Sequence, residues 1–172
     1  RHTLSSSAAA GELPILHQDE ALVVIAKPCG AVVHRGRGLP RGTVLLVQAL
    51  RNQLGRHVYP VHRLDRQTSG VLVFALSSEA SAAMAGDIQS GQWRKRYVGL
   101  ARGPIKELLD LDYPVPEGDK KREARTSFEP LETFCDRYTL VRAFPHTGRY
   151  HQLRRHLKHL RHPLVGDTNY GD

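Results

Sequence analysis

The residue types best suited to catalysis lie within ten consecutive positions, residues 61–70. This segment, VHRLDRQTSG, combines one carboxylate, Asp65, with a histidine, two arginines and two hydroxyls. The apolar run at 71–76 follows directly and predicts a buried strand. A polar loop attached to a core strand can hold a carboxylate in one position. Asp65 is therefore the first candidate for a catalytic residue.

A second dense group lies in a helix predicted over residues 149–161. Its core-facing stripe consists of Leu153, Leu157 and Leu160. Arg154 falls at the edge of that stripe, where an arginine usually needs an anionic partner, so the spacing predicts a buried carboxylate beside it. Arg155 and His159 lie on the opposite face, which predicts contact with solvent or phosphate.

A third group lies in a strand predicted over residues 93–101. Alternation places Lys95, Tyr97 and Gly99 on one face of this strand. An aromatic side chain beside basic residues suits stacking on an unpaired base next to phosphates. An ordinary core tyrosine fits the same pattern equally well, so the position alone does not decide between the two.

Two other kinds of chemistry find little support in the sequence. Among the four histidines at 151, 156, 159 and 162, only His156 and His159 have helical ligand spacing, and no HExxH motif or nearby cysteine completes a set. We expect no metal, and a zinc-dependent hydrolase is a distant alternative. Thr68, Ser69 and Gly70 lack a G-x-S-x-G motif. The two hydroxyls are expected to bond the loop backbone and orient Asp65.

Composition narrows the class of protein. The chain has 172 residues, with 25 Lys+Arg against 17 Asp+Glu and a formal charge of +8. This balance favours a polyanionic partner, most often nucleic acid, although a merely basic surface has the same charge. Cys29 and Cys135 form no CxxC motif, which indicates a reducing cytoplasm. No apolar run approaches 18 residues, so we expect no membrane span.

Strand and helix signals alternate along the chain and predict an α+β fold with a mixed, largely antiparallel sheet flanked by helices and loops. Strands are expected at 22–26 and 138–144, and an irregular loop or hairpin at 110–129. One helix is predicted over 43–54 with Thr43 as N-cap, and another begins at Ser77 or Ser78 and ends near residue 90. Residues 1–14 are expected to be a disordered leader, and residues 15–172 one catalytic domain.

Four ordered motifs resemble those of the RluA-type pseudouridine synthases. Residues 62–70 (HRLDRQTSG) resemble the signature HRLDxxTSG, and residues 95–97 (KRY) resemble the KxY strand. Residues 147–156 (TGRYHQLRRH) resemble TGRxHQLRxH, and residues 162–167 (HPLVGD) resemble HPxxGD. The resemblance covers about residues 15–172.

The resemblance implies isomerisation of uridine in RNA to pseudouridine, a reaction without redox change that needs no cofactor. It assigns Asp65 as the nucleophile, attacking either ribose C1′ or uracil C6. It assigns Arg154 as the partner of that carboxylate and Tyr97 as the residue that stacks on the target base. It also implies that Arg63 fills the gap left when the uridine flips out of its helix. Further RNA contacts are expected from Arg66, Lys95, Arg149, His151 and Arg155.

Within the family, HQLRRHLKHLRHP and LSSEA are closest to the synthase C group, which acts on a uridine in the T stem of tRNA. We therefore expect a cytoplasmic, monomeric enzyme with tRNA as substrate. An rRNA-modifying synthase and a non-catalytic basic RNA-binding module are the alternatives. The chain ends soon after the HPxxGD motif, so we expect it to be truncated at its C-terminus.

Overall fold

The computed structural model describes residues 12–34, 43 and 45–171. The chain divides into two compact units, Arg1–Ser90 and Gly91–Asp172. Most of the predicted leader, residues 1–11, lies outside the described residues. The sheets are built from antiparallel strand pairs and accompany three helices, which confirms the predicted α+β class.

The first unit is built on a four-stranded antiparallel sheet of order β1-β2-β4-β3. Its elements are β1 (Ile15–Gln18), β2 (Leu22–Lys27), α1 (Leu46–Leu54), β3 (Tyr59–Pro60), β4 (Gly70–Ala75) and α2 (Ser78–Gln89). Strand β4, predicted from the apolar run, lies between β2 and β3, and its Leu72, Phe74 and Ala75 are fully buried. The loop that carries Asp65 therefore leads directly into the core.

The predicted N-cap of α2 is confirmed, whereas that of α1 is not. The Ser77 side chain accepts a hydrogen bond from Ala80 N at 3.1 Å and caps α2, as expected. The prediction of Thr43 as N-cap of α1 is wrong, because that helix begins at Leu46. Backbone carbonyls of the preceding loop take the place of a cap: Leu46 N donates to Val32 O at 2.9 Å.

The second unit contains a four-stranded antiparallel sheet of order β5-β10-β9-β6, a two-stranded hairpin and one helix. Its elements are β5 (Tyr97–Arg102), β6 (Leu109–Asp112), β7 (Val115–Glu117), β8 (Lys120–Arg122), β9 (Arg125–Phe134), β10 (Tyr138–Pro145) and α3 (Gln152–His159). Strands β7 and β8 form the hairpin, which lies within the segment predicted to be irregular.

Three sequence predictions in this unit need correction. Strand β5 begins at Tyr97 rather than at residue 93, and α3 is shorter at both ends than predicted. Part of the supposed loop at 110–129 belongs to β9, a ten-residue strand. Local composition suggests a loop there, but pairing with β10 and β6 on either side makes the segment a central strand.

The core of the second unit lies between the sheet and α3. It consists of Ala101, Ile105, Phe128, Val141, Ala143 and Leu157, each buried. Leu153 and Leu160 pack against this cluster from the helix, as their spacing predicts. The leucine stripe therefore fixes the rotation of α3 and with it the positions of Arg154 and Arg155.

A buried polar network also joins α3 to the sheet. The Gln152 amide donates to Arg125 O at 3.0 Å and to Thr126 Oγ1 at 2.9 Å. Its oxygen accepts from Thr147 Oγ1 at 2.8 Å and from Arg149 N at 3.0 Å. Every donor and acceptor site of the Gln152 side chain is used. Gln152 therefore joins the turn at residues 147–149 to β9.

The same network fixes the protonation of His156, which is fully buried. Thr126 Oγ1, already an acceptor from Gln152, donates to His156 Nδ1 at 2.9 Å, and Nε2 donates to the Tyr113 carbonyl at 2.8 Å. Neutral imidazole satisfies this arrangement. Burial lowers the pKa of His156, because the charged ring would be poorly solvated there.

The lowered pKa predicts that acid weakens the second unit. The unfolded chain binds a proton near pH ~6.5 while the folded chain does not, so stability is complete above that pH and falls as the pH drops below it. His156→Gln should lower the free energy of unfolding by about 1–3 kcal/mol and flatten this dependence. Urea unfolding followed by Trp93 fluorescence at pH 8 and pH 5.5 measures both effects.

His34→Gln provides the control, since that side chain is exposed and lies in the first unit. It should leave the pH dependence in place. Unchanged pH dependence in His156→Gln would contradict the assignment.

Candidate active site

Asp65 lies in a tight turn immediately before β4. Thr68 N donates to the Asp65 carbonyl at 3.0 Å, which closes the turn. Upstream, His62 Nε2 accepts a hydrogen bond from Val73 N at 3.2 Å, and Leu64 is buried. The half-buried Asp65 side chain is therefore presented from a loop that is fixed to the core strand on both sides.

A buried lysine supports this loop from beneath. Lys27, the last residue of β2, is 2% exposed. Its Nζ donates to the carbonyls of Pro28 and Arg66, each at 3.1 Å, and to that of Thr68 at 2.7 Å. The three donors of the ammonium thus bind three backbone oxygens, two of them in the turn that carries Asp65.

The charge of Lys27 also acts on the turn. Burial lowers the pKa of Lys27, while the nearby Asp65 carboxylate acts in the opposite direction. The lysine and the aspartate are therefore close enough to interact electrostatically. Lys27 therefore supports the turn through its charge as well as through its hydrogen bonds.

Further bonds join the turn to the segment that follows β2. Arg66 Nε donates to the Gly30 carbonyl at 3.2 Å, and Gly30 N donates to the Arg66 carbonyl at 2.8 Å. Cys29 Sγ donates to the Gln67 carbonyl at 3.2 Å. Arg66 therefore also has a structural role, while Arg63 is exposed on the same loop.

Sequence reasoning did not identify Lys27 as a site residue, although a signal was present. Strand alternation places residue 27 on the same face as the buried Val23 and Ile25. A lysine at a core-facing position needs acceptors for its charge, and its place next to Pro28 and the loop gives it backbone carbonyls.

In the second unit, the predicted alternation around Tyr97 is confirmed. Lys95, Tyr97 and Gly99 are half-buried, whereas Arg94, Arg96 and Val98 are exposed. Tyr97 packs against the core cluster of this unit. Burial lowers the pKa of Lys95. The Lys95 Nζ lies 3.8 Å from the position that a Cβ atom would occupy at Gly148. The KxY strand and the TGR turn are therefore neighbours.

Arg154 has the buried carboxylate partner that its position predicts, and that partner is Asp167. Arg154 Nε and Nη2 donate to the two Asp167 oxygens at 2.7 and 2.8 Å. The Asp167 side chain is 4% exposed and that of Arg154 is 20% exposed. This planar two-point contact fixes the orientation of the guanidinium.

The environment of Asp167 keeps it ionised. Its hydrogen bond with Arg154 lowers the pKa of Asp167 to about 2, and bonds from Tyr170 N and Asn169 N act in the same direction. The resulting stabilisation is present above pH ~4 and is lost as the pH falls toward ~2. Sequence reasoning assigned no role to Asp167, although it noted the HPxxGD motif that contains it.

The remaining predicted RNA-binding residues of this unit form contacts within the chain. Arg149 Nε donates to the Glu123 carbonyl at 3.1 Å. Arg155, expected to face solvent, is instead half-buried, and its Nε donates to Tyr170 Oη at 2.9 Å. His151 Nδ1 lies 3.1 Å from the same hydroxyl. Leucine packing turns Arg155 toward the chain segment that follows α3.

Residues 12–34, 43 and 45–171 include no candidate metal site. No three His, Cys, Asp or Glu side chains there form a group that could hold a metal ion. Both cysteines are exposed free thiols. Within the same part of the chain, no helix is both long and apolar enough to cross a bilayer.

Comparison with known proteins identifies the family. The family model described as RNA pseudouridylate synthase matches residues 21–159, which include the Asp65 loop, Tyr97 and Arg154. This chain belongs to that family and is an enzyme that isomerises uridine in RNA to pseudouridine.

Curated bacterial relatives match nearly the whole chain. The tRNA pseudouridine synthase C of Pasteurella multocida is 44% identical over 182 aligned residues, covering 93% of this chain and 75% of the relative. The protein of the same name from Vibrio cholerae is 43% identical, with 93% and 75% covered.

Solved structures show the same fold. Human RNA pseudouridylate synthase domain containing 4 matches with a TM-score of 0.79 and 28% identity, covering 92% of this chain and 69% of that one. Human RNA pseudouridylate synthase domain containing 1 also has a TM-score of 0.79, with 26% identity and 93% and 70% covered. The predicted family and fold are both confirmed.

The contacts of Lys27 predict that Lys27→Met impairs catalysis. Methionine keeps the apolar stem but removes the ammonium donor from three carbonyls, of which that of Arg66 keeps its bond from Gly30 N, so the free energy of unfolding should fall by about 2 kcal/mol or more. Turnover should fall at least about tenfold, because the turn that positions Asp65 loosens. Chemical denaturation and single-turnover pseudouridine formation measure the two effects. Lys106→Met, at an exposed site, should change neither, and a fully active Lys27→Met would contradict the role.

The Arg154–Asp167 contact predicts strong coupling between two substitutions. Arg154→Met and Asp167→Asn should each destabilise the chain, because each leaves a charged partner without its counterpart. The double variant should be less destabilised than the sum of the two by about 2 kcal/mol, measured by chemical denaturation. Additive losses would show that the two side chains do not act as a pair.

Proposed function

We propose that this enzyme converts a uridine in tRNA to pseudouridine, with Asp65 as nucleophile. The observation that carries the assignment of Asp65 is its loop, in which a buried ammonium and a core strand fix one carboxylate. Relatives named tRNA pseudouridine synthase C, at 42–44% identity in the first three, support tRNA as the substrate.

The chemistry follows from a fixed carboxylate and a flipped uridine. The Asp65 carboxylate attacks ribose C1′ or uracil C6, and the bond between N1 and C1′ breaks. The uracil then turns and C5 bonds to C1′, the bond to Asp65 breaks and frees the carboxylate, C5 loses its proton and N1 gains one. Substrate and product have the same atoms, so the reaction requires no external acceptor and no change of oxidation state.

Arg154 and Tyr97 are proposed to assist this sequence. Asp167 fixes the Arg154 guanidinium through Nε and Nη2, and this guanidinium is proposed as the partner of the Asp65 carboxylate. Tyr97 is proposed to stack on the target uracil and to help remove the C5 proton. A phenol with an unperturbed pKa near ~10 is a weak base at neutral pH, so a direct role in proton removal requires that pKa to be tuned.

The basic side chains are proposed to bind the RNA backbone. Arg63, exposed on the Asp65 loop, is proposed to fill the space vacated by the flipped uridine, which offsets part of the unstacking cost of a few kcal/mol. The exposed Arg66 is proposed to contact phosphate through the part of its guanidinium beyond Nε. The same function is proposed for Lys95, Arg149, His151 and Arg155. We infer that the enzyme acts as a monomer in the cytoplasm, where free cysteines are stable.

The decisive variant is Asp65→Asn. It should bind RNA about as tightly as the unaltered enzyme, while pseudouridine formation falls at least about a thousandfold, because an amide cannot act as the nucleophile. The assay incubates tRNA and rRNA from a strain lacking the enzyme and maps pseudouridine at single-nucleotide resolution. Asp136→Asn is the matched control, since it lies in an exposed turn whose left-handed backbone asparagine tolerates.

Near-normal turnover by Asp65→Asn would refute the assignment of the nucleophile. Modification of rRNA alone would refute tRNA as the substrate while leaving the reaction class in place.

A further inference from the structure

One exposed aromatic residue lies outside the group assigned to uridine chemistry. Tyr150 precedes α3, and its side chain is 49% exposed. Its ring stacks on the ring of His151, with centroids 3.7 Å apart and planes 22° apart. A large aromatic ring held this way on the surface of an RNA-modifying enzyme is suited to contact with a base.

The support beneath Tyr150 is rigid. Tyr170 Oη accepts from Arg155 Nε at 2.9 Å and is hydrogen-bonded to His151 Nδ1 at 3.1 Å. The Tyr170 ring meets His151 edge-on, with centroids 5.5 Å apart. The stacked rings are thus supported by hydrogen-bonded side chains. A ligand that stacks on Tyr150 would therefore need to order few additional side chains.

Arg155 joins this stack to the hairpin β7–β8. Its guanidinium carbon lies 6.0 Å from the Tyr150 ring centroid, and Nη1 donates to the Pro116 carbonyl at 3.0 Å. Arg149 Nε donates to the Glu123 carbonyl just beyond the other strand. The hairpin is therefore attached near both of its ends to the residues around Tyr150.

The hairpin brings positive charge to this surface. Strand β8 consists of Lys120, Lys121 and Arg122, and each of the three residues is exposed. Arg122 forms an exposed ion pair of 3.5 Å with Glu117, so those two charges largely cancel. The two lysines lie on a strand that the arginine contacts connect to Tyr150.

We propose that Tyr150 stacks on an unpaired nucleotide of the RNA substrate, distinct from the target uridine, while Lys120 and Lys121 bind the neighbouring phosphates. Only an unpaired base offers its face to a protein ring, so the preferred RNA carries a loop or bulge near the modified stem. This inference extends the proposed function by adding a second recognition point in the substrate.

The test compares Tyr150→Ala with Tyr150→Phe, using unmodified tRNA from a strain lacking the enzyme. Tyr150→Ala should raise the dissociation constant about tenfold, because a stacking surface is lost, while Tyr150→Phe stays within about twofold. The effect should fall mainly on KM for pseudouridine formation. The circular dichroism spectrum and thermal midpoint of Tyr150→Ala should stay close to those of the unaltered enzyme, since the side chain is exposed.

The lysines are tested by the salt dependence of binding. Replacing both Lys120 and Lys121 with alanine should reduce the slope of log affinity against log salt by about 1.4, or ~0.7 for each phosphate contact with a single strand. Lys106→Ala is the control and should leave the slope unchanged.

Two results would overturn the inference. One is a folded Tyr150→Ala variant that binds tRNA as tightly as the unaltered enzyme, and the other is an equal loss in Tyr150→Phe. These results concern binding, so they are distinguishable from failure of the proposed function, in which the unaltered enzyme would form no pseudouridine in tRNA.

Discussion

The conformation of the loop that carries Asp65 depends on one buried ammonium, that of Lys27. Lys27 places a positive charge where solvent is excluded, and three backbone carbonyls replace the water that it loses. Its desolvation cost is offset only while the loop keeps the conformation that directs those carbonyls toward Nζ. The buried charge therefore fixes the conformation of the loop, and that conformation determines the position of Asp65.

The second unit uses the same principle with different groups. Gln152 is buried and Arg154 is half-buried. The hydrogen-bond partners of each side chain come from segments that are distant in sequence. The motif residues around α3 thus fall into two kinds. Some hold the turn and the ends of the helix in place, and others are those proposed to contact RNA.

Periodic and strongly local features were predictable from the sequence. The leucine stripe of α3, the Ser77 cap and the buried strand after Asp65 follow from spacing and from residue preferences. Strand β9 was not predictable in the same way, because its proline and charged residues are typical of a loop and its strand conformation depends on pairing with the two neighbouring strands. The start of α1 was missed because backbone carbonyls rather than a side chain satisfy its first amides.

The site residues show the same difference between local and distant information. The position of Arg154 implied a buried carboxylate, but helix geometry alone cannot say which carboxylate reaches it, and Asp167 lies 13 residues further along the chain. Lys27 lies 39 and 41 residues from two of its partners. Alternation in β2 indicates that its side chain is buried, whereas the identity of its acceptors depends on how the sheet brings β2 beside β4.

The choice of backbone oxygens as partners for Lys27 has a consequence for how this enzyme can evolve. Main-chain carbonyls are present whatever the side chain, so exposed loop positions such as Gln67 can change without removing an acceptor from the ammonium. The outward side chains of the loop can therefore change while Asp65 stays in place. Selection for a new RNA target and selection for the old reaction need not conflict at these positions.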